Sequence, residues 1–228
     1  MASLYRTYRP LTLSELIGQD TITSILRKAA QEDTIGHAYL FAGPRGTGKT
    51  TTARLVAKLL VCAKRRSNKA FQKKGEVCNE CAGCMAVDNG SLLDVTEIDA
   101  ASNRGIDEIR SLRERIRAMP QQGPHKVYII DEAHMLTGPA WNALLKTLEE
   151  PPEHAVFILA TTELHKVPDT IVSRTQKYTF RLYDKAEITG HLRTISDAEK
   201  IQITDGALEL LADHGRGSFR DSISMLDQ

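Results

Sequence analysis

A glycine-rich motif behind a short apolar run constrains this chain more than any other feature of its sequence. The run covers residues 38–42, and a helical pattern then opens with Gly43, Pro44, Arg45, Gly46, Thr47, Gly48, Lys49, Thr50 and Thr51. Such glycines let backbone N–H groups and the helix N-terminus approach phosphate oxygens. We therefore predict that these residues bind a nucleoside triphosphate, with Lys49 at the β- and γ-phosphates and Thr50 on Mg²⁺. The alternative is a glycine-rich turn without a ligand.

A second apolar run ends in two carboxylates. Residues 127–130 are Val-Tyr-Ile-Ile, and Asp131 and Glu132 follow directly. The pattern is typical of a buried parallel strand, whose carboxyl end meets the ligand in open α/β sheets. We predict that Asp131 holds hydrated Mg²⁺, and that Glu132 orients and helps to deprotonate the attacking water. Because many strands stop at an acidic turn, this prediction depends on the phosphate-binding motif.

The four cysteines of the chain lie within one short stretch. They are spaced as Cys62-x15-Cys78-x2-Cys81-x2-Cys84. Four thiolates at such spacings can close a tetrahedral Zn²⁺ site, whereas a reducing cytosol disfavours disulfides. We predict a structural zinc module at residues 62–84, with free or redox-active thiols as the alternative. Because the module is an insertion away from the phosphate-binding motif, its loss is expected to lower stability and leave the nucleotide contacts mostly intact.

The charge balance limits where nucleic acid could bind. The chain has 228 residues with 30 Lys+Arg against 29 Asp+Glu, a formal net charge of +1, so such contacts must come from local patches. One basic stretch lies between the first two cysteines and contains Lys64, Arg65, Arg66, Lys69, Lys73 and Lys74. We expect a solvated loop for it, with a DNA contact as the alternative. The sequence has no apolar leader and no run of membrane-spanning length, which predicts a cytoplasmic protein without membrane contact.

The remaining apolar segments predict a doubly wound α/β fold with a parallel sheet of five strands. Strands are expected at residues 38–42, 94–99, 127–132, 156–161 and 176–182, the last as an edge strand because its residues alternate. Helical patterns cover residues 106–116, 140–150, 186–195, 205–214 and 218–226. We expect an ATPase domain at residues 1–182 and a small helical lid at residues 183–228. The pattern reaches Gln228 without a stop signal, so we expect a truncated chain.

Several segments together resemble one protein family. Over nearly all of its length the chain is similar to the AAA+ P-loop ATPases of the gamma/tau type, the motor subunits of the bacterial DNA polymerase III clamp loader. The resemblance is carried by Tyr8-Arg9-Pro10, Ile17-Gly18-Gln19, residues 37–41, the phosphate-binding motif, the zinc module, residues 97–102 and residues 144–152. The zinc module is the most specific of these, because other AAA+ relatives generally lack four cysteines inserted at this place. Lys49 and Thr50 separate the chain from the clamp-loader subunit whose phosphate loop is degenerate.

The resemblance implies roles that the patterns leave open. Thr162 would sense the γ-phosphate, and Arg220 would contact it from the lid. Arg174, within Ser173-Arg174-Thr175, would act in trans as an arginine finger in the ATP site of a neighbouring subunit. Thr175 stands where the family usually has Cys. Without the resemblance, Thr162 would be interpreted as a capping or buried residue and both arginines as surface charges. The adenine would be wrapped by Tyr8, Arg9, Pro10, Ile17 and Gly18.

The resemblance also implies partners. A clamp-loader motor uses ATP, with Mg²⁺, to load a sliding clamp onto primed DNA during DNA replication, within a hetero-oligomeric pentamer whose collar domain is absent from this chain. The DNA-binding candidates are Ser102, Asn103, Arg104 and Arg110, for which a solvated helix face is the alternative. The loop at residues 120–125 is a further candidate. A branch-migration or helicase-loading AAA+ protein, and a scaffold that binds nucleotide without turnover, remain alternatives.

Overall fold

The computed structural model describes residues 3–228, in which one sheet of five strands carries helices on both faces. The strands are β1 (Ala38–Ala42), β2 (Val95–Asp99), β3 (Lys126–Asp131), β4 (Ala155–Thr161) and β5 (Gln176–Thr179). The α-helices are α1 (Leu4–Thr7), α2 (Asp20–Glu32), α3 (Lys49–Val61), α4 (Ala63–Ser67), α5 (Lys69–Gln72), α6 (Ala82–Asp88), α7 (Ile106–Arg117), α8 (Gly138–Glu149), α9 (Asp169–Val172), α10 (Lys185–Glu199), α11 (Asp205–His214) and α12 (Phe219–Leu226). Short 3₁₀ turns cover Leu13–Glu15, Ala133–Met135 and Leu164–Lys166.

The strand order brings the two predicted nucleotide motifs together. The strands pair in parallel in the order β2-β3-β4-β1-β5, so β1 and β3 flank β4. β1 and β4 are buried along their whole length because strands cover both of their edges and helices cover both faces. The residues after Ala42 and after Ile130 therefore leave the sheet at the same carboxyl edge, where open α/β sheets bind ligands. The predicted α/β fold with five parallel strands is confirmed.

Each face of the sheet has its own core. Side chains alternate along a strand, so Phe41 points to the face covered by α2 and α3, where it shares a cluster with Leu59. Leu40 points to the opposite face and packs with Leu112 of α7 and Leu144 of α8. The phosphate-binding motif is thus anchored between a buried strand and a helix whose inner side is buried against the sheet.

The last strand is shorter than the sequence predicts. The expected strand at residues 176–182 ends at Thr179, although its place at the edge of the sheet is confirmed. Its neighbour β1 ends at Ala42, so the Phe180 N–H donates to the Ala42 carbonyl (2.7 Å) and the described pairing with β1 stops there. The chain then turns away, and the Tyr183 N–H donates to the Gly217 carbonyl (3.1 Å).

Three helices after β5 pack around a separate apolar cluster. α10 starts behind a capping box formed by Asp184 and Glu187, and it continues past the predicted end at residue 195 to Glu199. The buried side chains that α10, α11 and α12 share are Ile188, Leu192, Ile195, Leu208, Ala212 and Ile223. Leu4, Tyr5 and Tyr8 from the start of the described chain pack against this cluster. These three residues therefore connect the start of the described chain to the helical cluster.

Candidate nucleotide site and cysteine cluster

The phosphate-binding motif forms a tight loop between β1 and α3. Gly46 (φ +75°) and Gly48 (φ +95°) occupy the left-handed region that favours glycine. A Cβ at Gly46 would overlap the Ser218 side chain, and one at Gly48 would lie 3.3 Å from the Tyr183 hydroxyl. Both glycines are therefore required by backbone conformation and by the close approach of residues from the C-terminal helical cluster.

Lys49 lies over this loop with its ammonium group turned inward. The side chain donates to the carbonyls of Gly43 (2.8 Å) and Pro44 (2.7 Å), and the residue is 6% exposed. Burial lowers the pKa of Lys49, and the carboxylates of Glu132 and Asp131 oppose that shift. A buried cation at a helix N-terminus is well placed to bind phosphate oxygens.

Two oxygen donors meet at the base of α3. The Thr50 hydroxyl donates to Asp131 Oδ2 at 2.6 Å, and Asp131 Oδ1 accepts the Glu132 N–H at 2.9 Å. A hydroxyl and a carboxylate are hard ligands of the kind that Mg²⁺ prefers beside phosphates. These two residues, which come from distant parts of the chain, could therefore hold the metal that the sequence predicts.

Glu132 is held in an uncommon backbone conformation and in a polar network. Its φ is +47°, which turns its side chain out of the strand direction at the end of β3. Glu132 Oε2 accepts the Thr162 hydroxyl at 3.0 Å and lies 3.5 Å from Nδ1 of His134. His134 is largely buried and lies 3.1 Å from the Thr161 hydroxyl and 3.2 Å from Glu163 Oε1. In this structure the Thr162 hydroxyl is therefore committed to Glu132, and its contact with a γ-phosphate stays a prediction.

A cavity of about 860 Å³ opens above the loop. Most predicted nucleotide residues line it: Tyr8, Arg9, Pro10, Ile17, Arg45, Gly46, Gly48, Lys49, Thr50, Thr51, Asp131, Glu132 and Arg220. Its lining, as described for residues 3–228, does not include Gly43, Pro44, Thr47, Gly18 or Thr162. Arg9 is half-buried, and its pKa is lowered by burial and by Arg54 nearby. Arg220 lies over the Tyr5 ring at 5.0 Å.

Arg174 lies away from this cavity. Its guanidinium forms an ion pair with Glu149 Oε1 (2.8 Å) and donates to the Thr170 carbonyl (2.8 Å). It does not line the cavity of its own chain within the described residues. This position leaves its predicted action on a neighbouring subunit untested.

Two residues that were not predicted as site residues support the site. Gln19 is 4% exposed, and its amide donates to the carbonyls of Arg181 (3.0 Å) and Thr47 (3.4 Å). The Tyr183 hydroxyl donates to the same Thr47 carbonyl at 2.8 Å, and burial raises the pKa of Tyr183 to about 12. Gln19 lies inside one of the segments that resemble the family, which was its only signal. Both residues join the phosphate loop to the chain leading into the helical cluster.

The four cysteines converge in one place. Their sulfur atoms all lie within 4.8 Å of one another, and the Cys78 and Cys84 sulfurs are 3.9 Å apart. Bonds of about 2.3 Å to a tetrahedral zinc ion place sulfurs about 3.8 Å apart, so the cluster has the dimensions of such a site. A hydrogen bond from Cys84 lowers the pKa of Cys62, and the same contact together with burial raises the pKa of Cys84. The distances between the four sulfurs are what fit a soft dication such as Zn²⁺.

The basic stretch inside this module is more ordered than a solvated loop. Residues 63–67 and 69–72 form α4 and α5. Arg65 is 4% exposed and donates to the Ala30 carbonyl (2.6 Å) and to Asp33 (2.7 Å). The expectation of a solvated loop is therefore wrong for Arg65, because its guanidinium anchors the module to the end of α2.

The DNA-binding candidates lie at the start of α7. Ser102 and Asn103 form hydrogen bonds to Asp99, and Arg110 pairs with Asp107 at 3.3 Å with 60% of its side chain exposed. Arg104 is exposed. The loop after α7 is fixed by buried Asp94, which accepts the backbone N–H groups of residues 121–123. These contacts do not test DNA binding, which stays a prediction for these residues.

Two family descriptions match the chain from residue 18 to its end. The family described as "DNA polymerase III, delta subunit" matches residues 18–184, and "DNA polymerase III clamp loader subunit, ATPase lid domain" matches residues 187–228. The chain belongs to the DNA polymerase III clamp-loader subunit family. The resemblance drawn from its sequence is thereby confirmed.

Relatives of known name agree with this family. The DNA polymerase III subunit tau of Bacillus subtilis is 50% identical over 226 residues, which are 99% of this chain and 39% of that protein. The gamma/tau subunit of Mycoplasma pneumoniae is 47% identical, over 99% of this chain and 32% of that protein. The gamma subunit of Buchnera aphidicola is 40% identical, over 99% of this chain and 59% of that protein. The chain therefore spans between about a third and three-fifths of the length of these relatives.

The fold has close counterparts among solved structures. The Thermotoga maritima RuvB Holliday junction branch migration motor superimposes with a TM-score of 0.64, over 95% of this chain and 63% of that one, at 20% identity. At such identity the likeness concerns the fold alone, and it agrees with the parallel α/β architecture of this clamp-loader family member. None of the helices described for residues 3–228 is long and apolar enough to cross a membrane.

Proposed function

We propose that this chain is the ATP-binding and ATP-hydrolysing motor region of a clamp-loader subunit, which acts with partner subunits to load a sliding clamp onto primed DNA. The convergence of Lys49, Thr50, Asp131 and Glu132 at the floor of one cavity carries this proposal. Each of these residues lines the cavity in which the phosphates of ATP would lie. The proposal extends beyond the chain itself, because relatives named as DNA polymerase III subunits are longer than it is.

The division of labour follows from the positions of these side chains. Lys49 exchanges its loop carbonyl partners for phosphate oxygens, which neutralises charge on the β- and γ-phosphates. Thr50 and Asp131 hold Mg²⁺, which when bound offsets the charge that develops on the phosphate oxygens. Glu132 orients the attacking water and accepts its proton. Thr162 and His134 set the direction of the Glu132 carboxylate.

The adenine-binding residues and the helical lid complete the site in this proposal. Tyr8, Arg9, Pro10 and Ile17 line the cavity and wrap the adenine together with the adjacent Gly18. Arg220 lies on α12, so a movement of the helical lid at residues 183–228 carries it toward or away from the γ-phosphate. Lid position and nucleotide state are therefore coupled through one arginine.

Zinc, partners and location belong to the same proposal. Cys62, Cys78, Cys81 and Cys84 hold a structural Zn²⁺, supported by sulfur atoms that lie within 4.8 Å of one another. The clamp, the other clamp-loader subunits and primer-template DNA are the partners, and Ser102, Asn103, Arg104 and Arg110 are the candidates for phosphate contacts. The cytoplasmic location stays a prediction.

One experiment tests the function as a whole. ATP hydrolysis is measured for the full-length protein assembled with its partner subunits, with and without sliding clamp and primed DNA, and clamp binding is measured with ATP and with ADP. We expect hydrolysis to rise when clamp and primed DNA are both present, and clamp binding to require ATP. Nucleotide binding without turnover would instead indicate a scaffold. Turnover that responds to branched DNA and ignores the clamp would indicate a branch-migration motor.

A further inference from the structure

A glutamate of the cysteine module holds the N-terminal segment at residues 8–18, which carries the predicted base contacts. Glu76 lies two residues before Cys78. Its carboxylate accepts the N–H groups of Leu13 (3.0 Å) and Ser14 (3.0 Å) and the Ser14 hydroxyl (2.7 Å). Arg27 of α2 pairs with it at 2.8 Å. Glu76 thus caps the turn Leu13–Glu15 as an N-cap side chain does, although it comes from a remote part of the sequence.

The backbone before this glutamate fits closely against α2. Gly75 has φ +63°, and a Cβ there would lie 2.5 Å from the Arg27 carbonyl oxygen. Only glycine allows the module to pass so close to α2 in this conformation. This close fit fixes the position of the next residue, Glu76, beside the N-terminal segment.

A second carboxylate holds the same segment from the other end of the module. Asp88 ends α6, four residues after Cys84. Its oxygens accept from the Lys58 ammonium at 2.8 and 3.0 Å, and Lys58 also donates to the Leu11 carbonyl at 3.3 Å. The Lys58 side chain is 1% exposed, and the Asp88 carboxylate is the ion-pair partner that faces it. Lys58, Asp88 and Leu11 all line the nucleotide cavity.

Three of the four cysteines, Cys78, Cys81 and Cys84, lie between these two carboxylates in the sequence. Cys62 follows the last residue of α3, and the other three cysteines lie at or just before α6. α6 packs so closely on α3 that a Cβ at Gly83 would lie 2.9 Å from the Val61 carbonyl oxygen. A metal that joins the four sulfurs ties the end of α3 to α6, and thereby fixes the positions from which Glu76 and Asp88 reach the N-terminal segment.

We propose that Glu76 and Asp88 are positioning residues through which the metal-bound cysteine module holds residues 8–18 against the base end of ATP. Residues 62–84 are not part of the cavity lining described for residues 3–228, so they strengthen nucleotide binding through the N-terminal segment. This inference rests on the proposed binding of ATP. It predicts the opposite of what the sequence alone suggests, which is that loss of the module leaves the nucleotide contacts mostly intact.

Two measurements on the full-length protein test the proposal. The first is the Kd for ATP, and the second is hydrogen exchange at the amides of Leu13 and Ser14. Glu76→Gln puts an amide donor where an acceptor is needed, so we expect faster exchange at both amides and about tenfold weaker ATP binding, the scale of a lost charge-assisted hydrogen bond. Asp88→Asn and removal of the metal with a chelator should shift both readouts in the same direction.

Glu80→Gln is the matched control. Glu80 belongs to the same module, is 76% exposed at its side chain and pairs with Lys64 at 3.1 Å. Its described hydrogen bonds and ion pairs do not include any residue of the N-terminal segment. This variant should leave both the ATP Kd and the exchange of the two amides as in the wild-type protein.

The outcomes separate this inference from the proposed function. If the wild-type protein binds ATP and Glu76→Gln binds it as tightly, or if exchange at Leu13 and Ser14 is unchanged, the positioning role is wrong. A wild-type protein that binds no ATP contradicts the proposed function instead. Exchange in β4 reports whether each variant is folded, and Glu76→Gln, which leaves Lys58 paired, decides the question if Asp88→Asn does not fold.

Discussion

Lys49 and Glu132 separate nucleotide binding from chemistry at the scale of single residues. Lys49→Ala removes the buried cation that would face the β- and γ-phosphates, so tight ATP binding should be lost. Equilibrium binding of ATP to the purified protein measures the effect. A mutant that binds ATP as the wild type does would contradict the assignment of the loop lysine.

Glu132→Gln should behave differently from Lys49→Ala. The amide keeps the shape of the side chain and can still accept from Thr162, but it cannot take a proton from water. We expect ATP binding to persist while turnover falls by about 10²-fold or more, the scale of a lost general base. Single-turnover hydrolysis and ATP binding are measured side by side. Equal loss of binding in both variants would refute this division of labour.

At the scale of elements, the cysteine module should be a stability element that depends on its metal. Cys81→Ser removes one of four converging sulfurs, so bound zinc should fall from about one per chain to well below one. We expect this variant to lose about 2 kcal/mol of unfolding free energy, which corresponds to a fall in Tm of about 4–8 °C for a chain of this size. Metal analysis and thermal unfolding check both values. A lower Tm with the zinc retained would point to packing rather than to the metal.

The first helix of the C-terminal cluster carries a histidine that makes stability depend on pH. The His191 ring packs against Phe219 of α12 with a centroid distance of 4.9 Å, and burial lowers its pKa from 6.5. The unfolded chain therefore binds more protons than the folded chain as the pH falls toward 6.5 and below. Stability from neutral His191 is complete above about pH 6.5 and is lost as the pH falls through that value toward the lowered folded pKa.

His191→Gln tests this pH dependence. The variant cannot take up the proton, so the decrease of Tm between about pH 7.5 and pH 5 should be smaller than in the wild-type protein. His214→Gln, at an exposed position on α11, is the control and should keep the wild-type decrease. If the decrease is the same in all three proteins, charging of His191 does not oppose folding.

Arg174 belongs to the scale of the assembled molecule. Its guanidinium lies outside the cavity of its own chain and pairs with Glu149 on the surface, so its proposed target is the ATP site of a neighbour. Arg174→Ala should leave the ATP affinity of the isolated chain nearly unchanged and lower stimulated hydrolysis in the assembled loader by about 10³- to 10⁵-fold. Lys should substitute poorly, because it lacks the planar fork of donors.

Mixed assemblies reveal the direction of action of Arg174. A subunit that carries Arg174→Ala is combined with a neighbour whose phosphate loop is intact, and hydrolysis is assigned to each site. The neighbour's site should fall silent while the site of the mutated subunit continues to turn over. Loss confined to the mutated subunit's own site would mean that the arginine acts in cis.

The sequence predicts the fold of this chain well wherever the signal is local. Four of the five strands lie within a residue or so of the predicted bounds, because buried parallel strands are short continuous apolar runs. The end of β5 was missed because it depends on where β1 stops, which the residues of β5 do not record. Arg65 was placed in a solvated loop for a similar reason, since its partners Ala30 and Asp33 lie more than thirty residues away.

What the sequence determined by itself is chemistry carried by contiguous residues: the phosphate-binding loop, the carboxylates that end β3, the cysteine spacing and the family. Only the tertiary structure decided which side chains share a hydrogen bond across the chain. It joins Thr162 to Glu132, Tyr183 to the loop carbonyl of Thr47, and Glu76 to the turn at Leu13. The reason is physical. A motif needs residue types at fixed spacing along one backbone, whereas a contact between remote segments depends on the packing of every element between them.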